Sequence, residues 1–284
     1  MAAMSSPAWT ALEAARLQRV ERVPFAVGPA VVGSVARAHL DALAAWPRWL
    51  ALSAGSVALT ARTEERDDVL AEVNAALRAQ GLVVAWRDET FPLFDPATLA
   101  PLARFERASA RFWGTLTLGA HANGWVADDG GRVQSLWIAQ RSFTKATDPG
   151  LFDNLVGGGV PAGQSPRDAL MREGWEEAGL VPREMANARP AGVLRLARDI
   201  PEGFQHEWLY AFDLQLPAGR VPQNQDGEVH AFDRLPAAEA LALAAGERMT
   251  VDAALVTISF GLRHGLVDDA SVAARLQALH VTPP

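Results

Sequence analysis

The stretch from Gly158 to Leu180, GGVPAGQSPRDALMREGWEEAGL, constrains this chain more than any other. Its middle carries the punctuation of a helix. Ser165 is suited to cap the N-terminus, Pro166 to the first helical position and Asp168 to the first turn, and Gly179 is a stop signal. Within that helix Glu173, Glu176 and Glu177 stand at i, i+3 and i+4, so the three carboxylates share one face, with Arg172 directly before them. Like charges packed this way repel, and they are tolerable only with a cation between them. A hard divalent ion, Mg²⁺ or Mn²⁺, suits such oxygen donors. The plainer alternative is a solvated acidic face paired with Arg167 and Arg172. Glycines 157–159 ahead of the helix let backbone approach a ligand closely.

Composition narrows the setting. With 284 residues the chain suggests two units or one elaborated unit. Apolar residues at 49% and charged residues at 21% allow a sizeable core and argue against disorder. A net charge of −7 disfavours a general nucleic-acid binder. The absence of cysteine excludes disulfides, thiolate zinc sites and a cysteine nucleophile. The N-terminus lacks the basic-then-apolar order of a signal peptide, and no run of about 18 apolar residues could span a membrane. The expectation is a soluble cytoplasmic protein with no nucleic-acid or membrane partner.

Periodicity predicts helices over Ala8–Val20, Val31–Ala45 and Asp67–Ala79, a loosely alternating segment over Trp49–Thr60 and a strand over Leu82–Trp86. Asp95–Pro101 reads as a connector. From Phe112 the texture changes to strands and tight turns. Ala120–Ala127 and Arg132–Gln140 flank Asp128-Asp129-Gly130-Gly131 as a hairpin, Phe152–Val156 runs into the glycines, and Val193–Ala197 with Glu207–Leu214 form a second hairpin. Val229–Phe232 is a short strand, and helices are predicted over Pro236–Ala245, Asp252–His264 and Ser271–Leu279.

The punctuated stretch resembles the Nudix box, G-x5-E-x7-R-E-U-x-E-E-x-G-U, where U is a bulky apolar residue. Gly158, Arg172, Glu173, Glu176, Glu177, Gly179 and Leu180 stand at the required spacing. Two positions depart: Gln164 replaces the first glutamate and Gly174 the first apolar residue. Gln can hydrogen-bond to the arginine but adds no charge, and Gly174 costs the helix about 1 kcal/mol relative to Ala. The resemblance implies a fold in the α/β (α+β) class. A Nudix α/β/α sandwich with a mixed sheet would run from about Phe112 to Gly246, preceded by a smaller α+β domain. The units expected are 1–111 and 112–284. It further implies a hydrolase that cleaves a diphosphate linkage with Mg²⁺, Mn²⁺ being the alternative. Glu173, Glu176, Glu177 and a carbonyl at Gly157 or Gly158, with Gly158 preferred, would hold the metal. Arg172 would orient a glutamate, and Glu173 would act as base as well as ligand.

Further segments narrow the resemblance. LWIAQRSFTKATDPGLFDNLVGGGVPAGQS, VPQNQDGEVHAFDRL and ALVTISFGLRHG, with LVVAWRDETFPLF and ARFWGTLTLGAHANGWV upstream, resemble the subgroup whose Nudix domain follows a domain of unknown function. In some eukaryotes that subgroup is associated with thiamine pyrophosphokinase. The resemblance implies thiamine diphosphate or its oxidised analogues as substrates, converted to monophosphates. Two rivals stay open: a nucleotide-directed hydrolase acting on an oxidised dNTP or a nucleotide sugar, and a catalytically weak regulator, suggested by Gln164. The family leaves a homodimer open. Among 26 basic residues Lys145 is the lone lysine, and a compact ammonium in a turn-rich loop suits a phosphate contact. Asp153 and Asn154 are candidate substrate-binding residues, or they simply end a strand. Glu228 is a candidate further metal ligand or base. His121, His206, Trp137 and Trp208 read as structural.

Overall fold

The computed structural model describes residues 8–284, so the first seven residues of the 1–111 unit and of the leader reading lie outside the described residues. In chain order its elements begin with α1 (Thr10–Ala14), β1 (Arg22–Val27), β2 (Ala30–Ala36), α2 (Leu40–Leu43), β3 (Leu50–Ser53), β4 (Ser56–Leu59) and α3 (Arg66–Ala79). Next come β5 (Thr90–Phe94), β6 (Pro101–Glu106), α4 (Ser109–Trp113), β7 (Leu116–Ala127), β8 (Val133–Arg141), β9 (Phe152–Asp153), β10 (Val156–Gly159) and α5 (Pro166–Ala178). The chain continues through α6 (Pro182–Met185), β11 (Arg189–Ile200), β12 (Gly203–Gln215), β13 (Val229–Pro236), α7 (Ala237–Ala245), α8 (Val251–Arg263) and α9 (Ala270–Gln277). None of the described helices is long and apolar enough to cross a membrane.

The early segment folds on a four-stranded sheet in the order β2-β1-β4-β3. Helix α3 buries Val69, Leu70, Val73 and Leu77 in the same core, as its spacing predicts. Trp113 of α4 is fully buried there and donates its indole N–H to Asn74 of α3 at 2.8 Å. Three local expectations fail. Val31–Ala45 is not a helix. Val31, Val32 and Val35 are β-branched and form β2, and only the four-residue α2 follows. Leu82–Trp86 forms no strand, because Ala85 and Asp88 both take positive φ of 58° and break any extended run. The first predicted helix is shortened to α1. Beyond it the backbone pairs with β11, where Ala197 and Asp199 donate to the carbonyls of Ala15 and Leu17. Moreover, Trp9, Ala11, Leu12 and Ala15 pack with α7–α9 rather than with the early sheet.

The second sheet is mixed and runs β11-β12-β7-β8-β13, with β10 paired to one half of β7 and β9 to β8. β12 and β7 are parallel, whereas β7–β8 and β11–β12 are antiparallel hairpins. Alternation decides its faces. Leu118, Ala120, Ala122, Trp137, Trp208 and Phe212 pack with Ala169, Leu170 and Ala178 of α5. On the other side Leu136, Ile138, Leu209 and Ala211 pack with α7 and α8. Helices on both faces make the expected α/β/α sandwich. The predicted strand over Phe152–Val156 splits into β9 and β10 at Asn154, whose side chain turns into the core.

Candidate active site

Helix α5 is fixed at both ends before any chemistry is considered. Ser165 and Asp168 form a reciprocal capping box: Ser165 Oγ accepts from the Asp168 N–H at 3.2 Å, and Asp168 accepts from the Ser165 N–H at 3.1 Å. Gly179 closes the helix at φ 62°. The departure at Gly174 has a physical reason, since a Cβ there would come within 2.6 Å of the Met185 side chain from α6. Trp175 stays 49% exposed and takes no part. Arg167 does not pair with the acidic face either. It donates instead to the carbonyls of Ala186 and Ala188.

Arg172 holds two of the three carboxylates, donating to Glu173 Oε1 at 2.9 Å and Glu176 Oε2 at 2.6 Å. Its Nε reaches Gln164 Oε1 at 3.4 Å, so Gln164 supports the arginine as a neutral acceptor. Glu173 lies against Gly158, where a Cβ would overlap its carboxylate. Burial raises the Glu173 pKa, while Arg172 and then Arg107 pull it down. Glu177 is buried and accepts from the Gly157 N–H at 2.9 Å. Burial, then the neighbouring Glu173, pushes its carboxyl up to about 8, against the opposing charge of Lys145. Lys145 Nζ lies 3.7 Å from Glu177 Oε1 and also pairs with Glu228 Oε2. Burial works against the Glu228 charge, but Lys145, with Arg87 and Arg107, keeps its pKa low.

For the backbone ligand expected at Gly157 or Gly158, strand pairing decides which residue's groups point outward. Gly158 is in register with Ala120 of β7, and the next inward donor is Val160, bonded to Leu118. Backbone groups alternate along an antiparallel strand, so those of Gly157 point outward, as its bond to Glu177 shows. The carbonyl facing the carboxylates is therefore that of Gly157.

Among the described residues, no three acidic or histidine side chains already converge at metal-binding distance. Two cations explain this: Arg172 draws off Glu173 and Glu176, and Lys145 draws off Glu228. The donor set nevertheless fits a hard divalent ion. It offers carboxylates and one strand carbonyl, and Glu177 is a buried acid whose charge is only partly compensated.

The other expected residues divide. Asp153 is buried beside the glycine strand, paired with Arg141 at 3.0 Å and 3.6 Å from His121. Asn154 is 1% exposed. Its amide is engaged by His121, Asn123, Thr257 and the Ala253 carbonyl, a network within the core. His206 is half-buried on β12, and Trp137 and Trp208 belong to the core. Sequence reasoning missed Arg107, from the turn after β6. It lies against Gly159, donates to Glu89 at 2.8 Å and sits over the Phe91 ring at 5.1 Å. No local motif marks it.

Residues 117–253 match the family model described as the NUDIX domain, and residues 7–117 match one for a domain of unknown function (DUF4743). The chain is 36% identical over 208 residues to "Nudix hydrolase 20, chloroplastic" of Arabidopsis thaliana, covering 72% of this chain and 55% of that protein. It is 33% identical over 253 residues to "Nudix hydrolase 24, chloroplastic" of the same plant, covering 87% of this chain and 69% of that protein. The chain thus spans about half the length of the first relative and about two thirds of the second. A solved structure from Deinococcus radiodurans is 23% identical, with a TM-score of 0.47, over 60% of this chain and 97% of its own.

Proposed function

Since this chain belongs to the Nudix hydrolase family, we propose that it is a Mg²⁺-dependent diphosphohydrolase acting on thiamine diphosphate or its oxidised analogues. The observation that carries the chemistry is a set of carboxylates held by two cations beside the glycine strand: Arg172 pairs with Glu173 and Glu176, Lys145 with Glu177 and Glu228, and Glu177 accepts from the Gly157 N–H. The five quoted segments, which extend well beyond the box and are spread over both units, support the substrate reading.

Glu173, Glu177, Glu228 and the Gly157 carbonyl would hold the divalent ion, with Glu176 at the outer edge. When bound, that ion offsets the charge of the diphosphate and makes a water molecule easier to deprotonate. Arg172 fixes the rotamer of Glu173 through a hydrogen bond to Oε1. Glu173, its basicity raised by burial, takes the proton of the attacking water. Water attacks one phosphorus, the bridging P–O bond breaks, and the products are orthophosphate and the organic monophosphate. Lys145, freed from Glu228 as the donors regroup, contacts the substrate's phosphate oxygens as a compact point charge.

The test is orthophosphate release in Mg²⁺, compared across thiamine diphosphate, oxothiamine diphosphate, ADP-ribose and a dNTP, with Glu173→Gln as control. Turnover of a thiamine-type substrate, lost by about 100-fold or more in the variant, is the expected result. Turnover of only a nucleotide would replace the substrate, and release from none of them would leave a ligand-binding regulator.

A further inference from the structure

A cavity of about 240 Å³ opens beside the glycine strand, on the face opposite α5. Arg107 and Arg111, from the turn after β6 and from α4, stand over one wall, and Gly157 forms another. Gln205 and Glu207 from β12 and Asp252 from α8 make the floor. Its volume falls below the roughly 300–1,000 Å³ of drug-sized pockets, which leaves room for one compact organic group.

The charges around it do not balance locally. Arg141 closes on Asp153 at 3.0 Å, Arg111 on Glu202 at 3.8 Å and Arg107 on Glu89 at 2.8 Å, while Arg198 donates to Gln205 Oε1 at 2.7 Å. Glu207 and Asp252 are left with one neutral donor between them. Gln205 Nε2 lies 2.9 Å from Glu207 Oε2 and 3.1 Å from each oxygen of Asp252. An amide carries only two N–H groups, so these three contacts cannot all be filled at once. Among the described residues, no cation lies within ion-pair distance of either carboxylate. Two half-buried acids that line a cavity and share one amide as donor are suited to positive charge and N–H donors from outside the chain.

We propose that this cavity holds the organic group of the diphosphate substrate, and that Glu207 and Asp252 select a group presenting positive charge and N–H donors, such as an aminated nitrogen heterocycle. The proposal rests on the diphosphohydrolase reading and deepens it. Arg107 stands at the mouth, against Gly159 and close enough to Glu173 and Glu228 for its charge to act on both carboxylates. A substrate would pass its diphosphate along Arg107 to the carboxylates of α5 while its ring entered the cavity. Burial, then the nearby Asp252, raises the Glu207 pKa, against the Gln205 hydrogen bond and the charges of His121 and Arg107. The early unit thus supplies one wall of the cleft.

The test is calorimetric titration of the full chain, and of Glu207→Gln and Asp252→Asn, with thiamine, with neutral adenosine and with inorganic pyrophosphate. Both variants relieve repulsion, so each should melt at or above the wild-type temperature, which verifies folding. Thiamine should bind the wild type more tightly than adenosine does and lose about tenfold or more in each variant, with pyrophosphate affinity moving less than about twofold. Equal thiamine affinity in wild type and both variants, or no preference over adenosine, overturns the proposal. Binding is read without turnover, so the two failures separate. Thiamine binding lost in the variants of a chain that hydrolyses nothing keeps the subsite and removes the hydrolase reading. Hydrolysis with unchanged thiamine affinity does the reverse.

Discussion

Lys145 Nζ lies 3.7 Å from Glu177 Oε1, and both side chains are less than a tenth exposed. An ammonium so placed compensates an acid that burial disfavours, and it does so where a divalent ion would otherwise be needed. Removing it should therefore have two effects. Without divalent ions Lys145→Ala should melt lower by a few degrees, because breaking a buried pair strands its partner at a cost of up to about 3 kcal/mol. Mg²⁺ should restore more stability to the variant than it adds to the wild type. In kinetics KM for a diphosphate should rise about tenfold with kcat falling less, and Lys145→Arg should recover only part of the loss. Unchanged KM in both variants would reduce Lys145 to a counter-ion for Glu177 and Glu228.

Gly158 leaves no room for a side chain, because a Cβ there would overlap the Glu173 carboxylate. Gly158→Ala should displace Glu173 by about an ångström, and misplacement on that scale costs a catalytic group on the order of 100-fold in kcat. The fold should survive, since the strand needs only an ordinary extended residue at this position. Gly55→Ala, with nothing within 4 Å of the added methyl, is the control. Wild-type kcat in Gly158→Ala would remove Glu173 from the reacting centre.

Gln164 reaches Arg172 Nε at 3.4 Å, as an acceptor eight residues upstream. Gln164→Glu would strengthen that contact by charge, worth about 1 kcal/mol for a partly exposed pair. Activity should change by less than about tenfold in Mg²⁺. A gain of about a thousandfold would mean that the natural side chain disables a hydrolase, and the regulator reading would then replace the enzyme.

How far the residues alone reach is clearest at α5. Ser165, Pro166 and Gly179 are local signals, and local signals fix a helix and the face shared by Glu173, Glu176 and Glu177. The two hairpins of the second sheet were equally legible, because their strands carry alternation and turn residues, whereas its mixed pairing came only from the Nudix resemblance. β2 failed because Val31 and Val35, four apart, satisfy a helical period as well as their β-branched chemistry satisfies a strand. Arg107 stayed hidden for a different reason. It lies 66 positions from Glu173 in sequence, in a chain with many arginines, and only folding brings the turn after β6 against Gly159. The choice between the Gly157 and Gly158 carbonyls likewise depends on pairing with β7.

His206 sets the direction of the acid response. Burial, then the charge of Arg195, lowers its pKa from 6.5 to about 4, so the folded protein keeps it neutral. Above pH 6.5 neither state is protonated and the residue is silent. Between pH 6.5 and 4 the unfolded chain binds a proton that the folded chain refuses, so stability falls with pH, by up to about 3 kcal/mol at the lower end. Glu177 acts in the opposite sense. Its carboxyl, held up to about 8, costs stability as pH rises above 4.5, where the unfolded chain ionises first. A wild-type profile alone mixes the two. The difference between wild type and His206→Gln isolates the histidine, because Glu177 is unchanged in both. Urea midpoints measured from pH 4 to 8 should converge at the acid end, with the variant losing less than the wild type. Parallel curves over that range would show that His206 keeps its ordinary pKa in the folded chain.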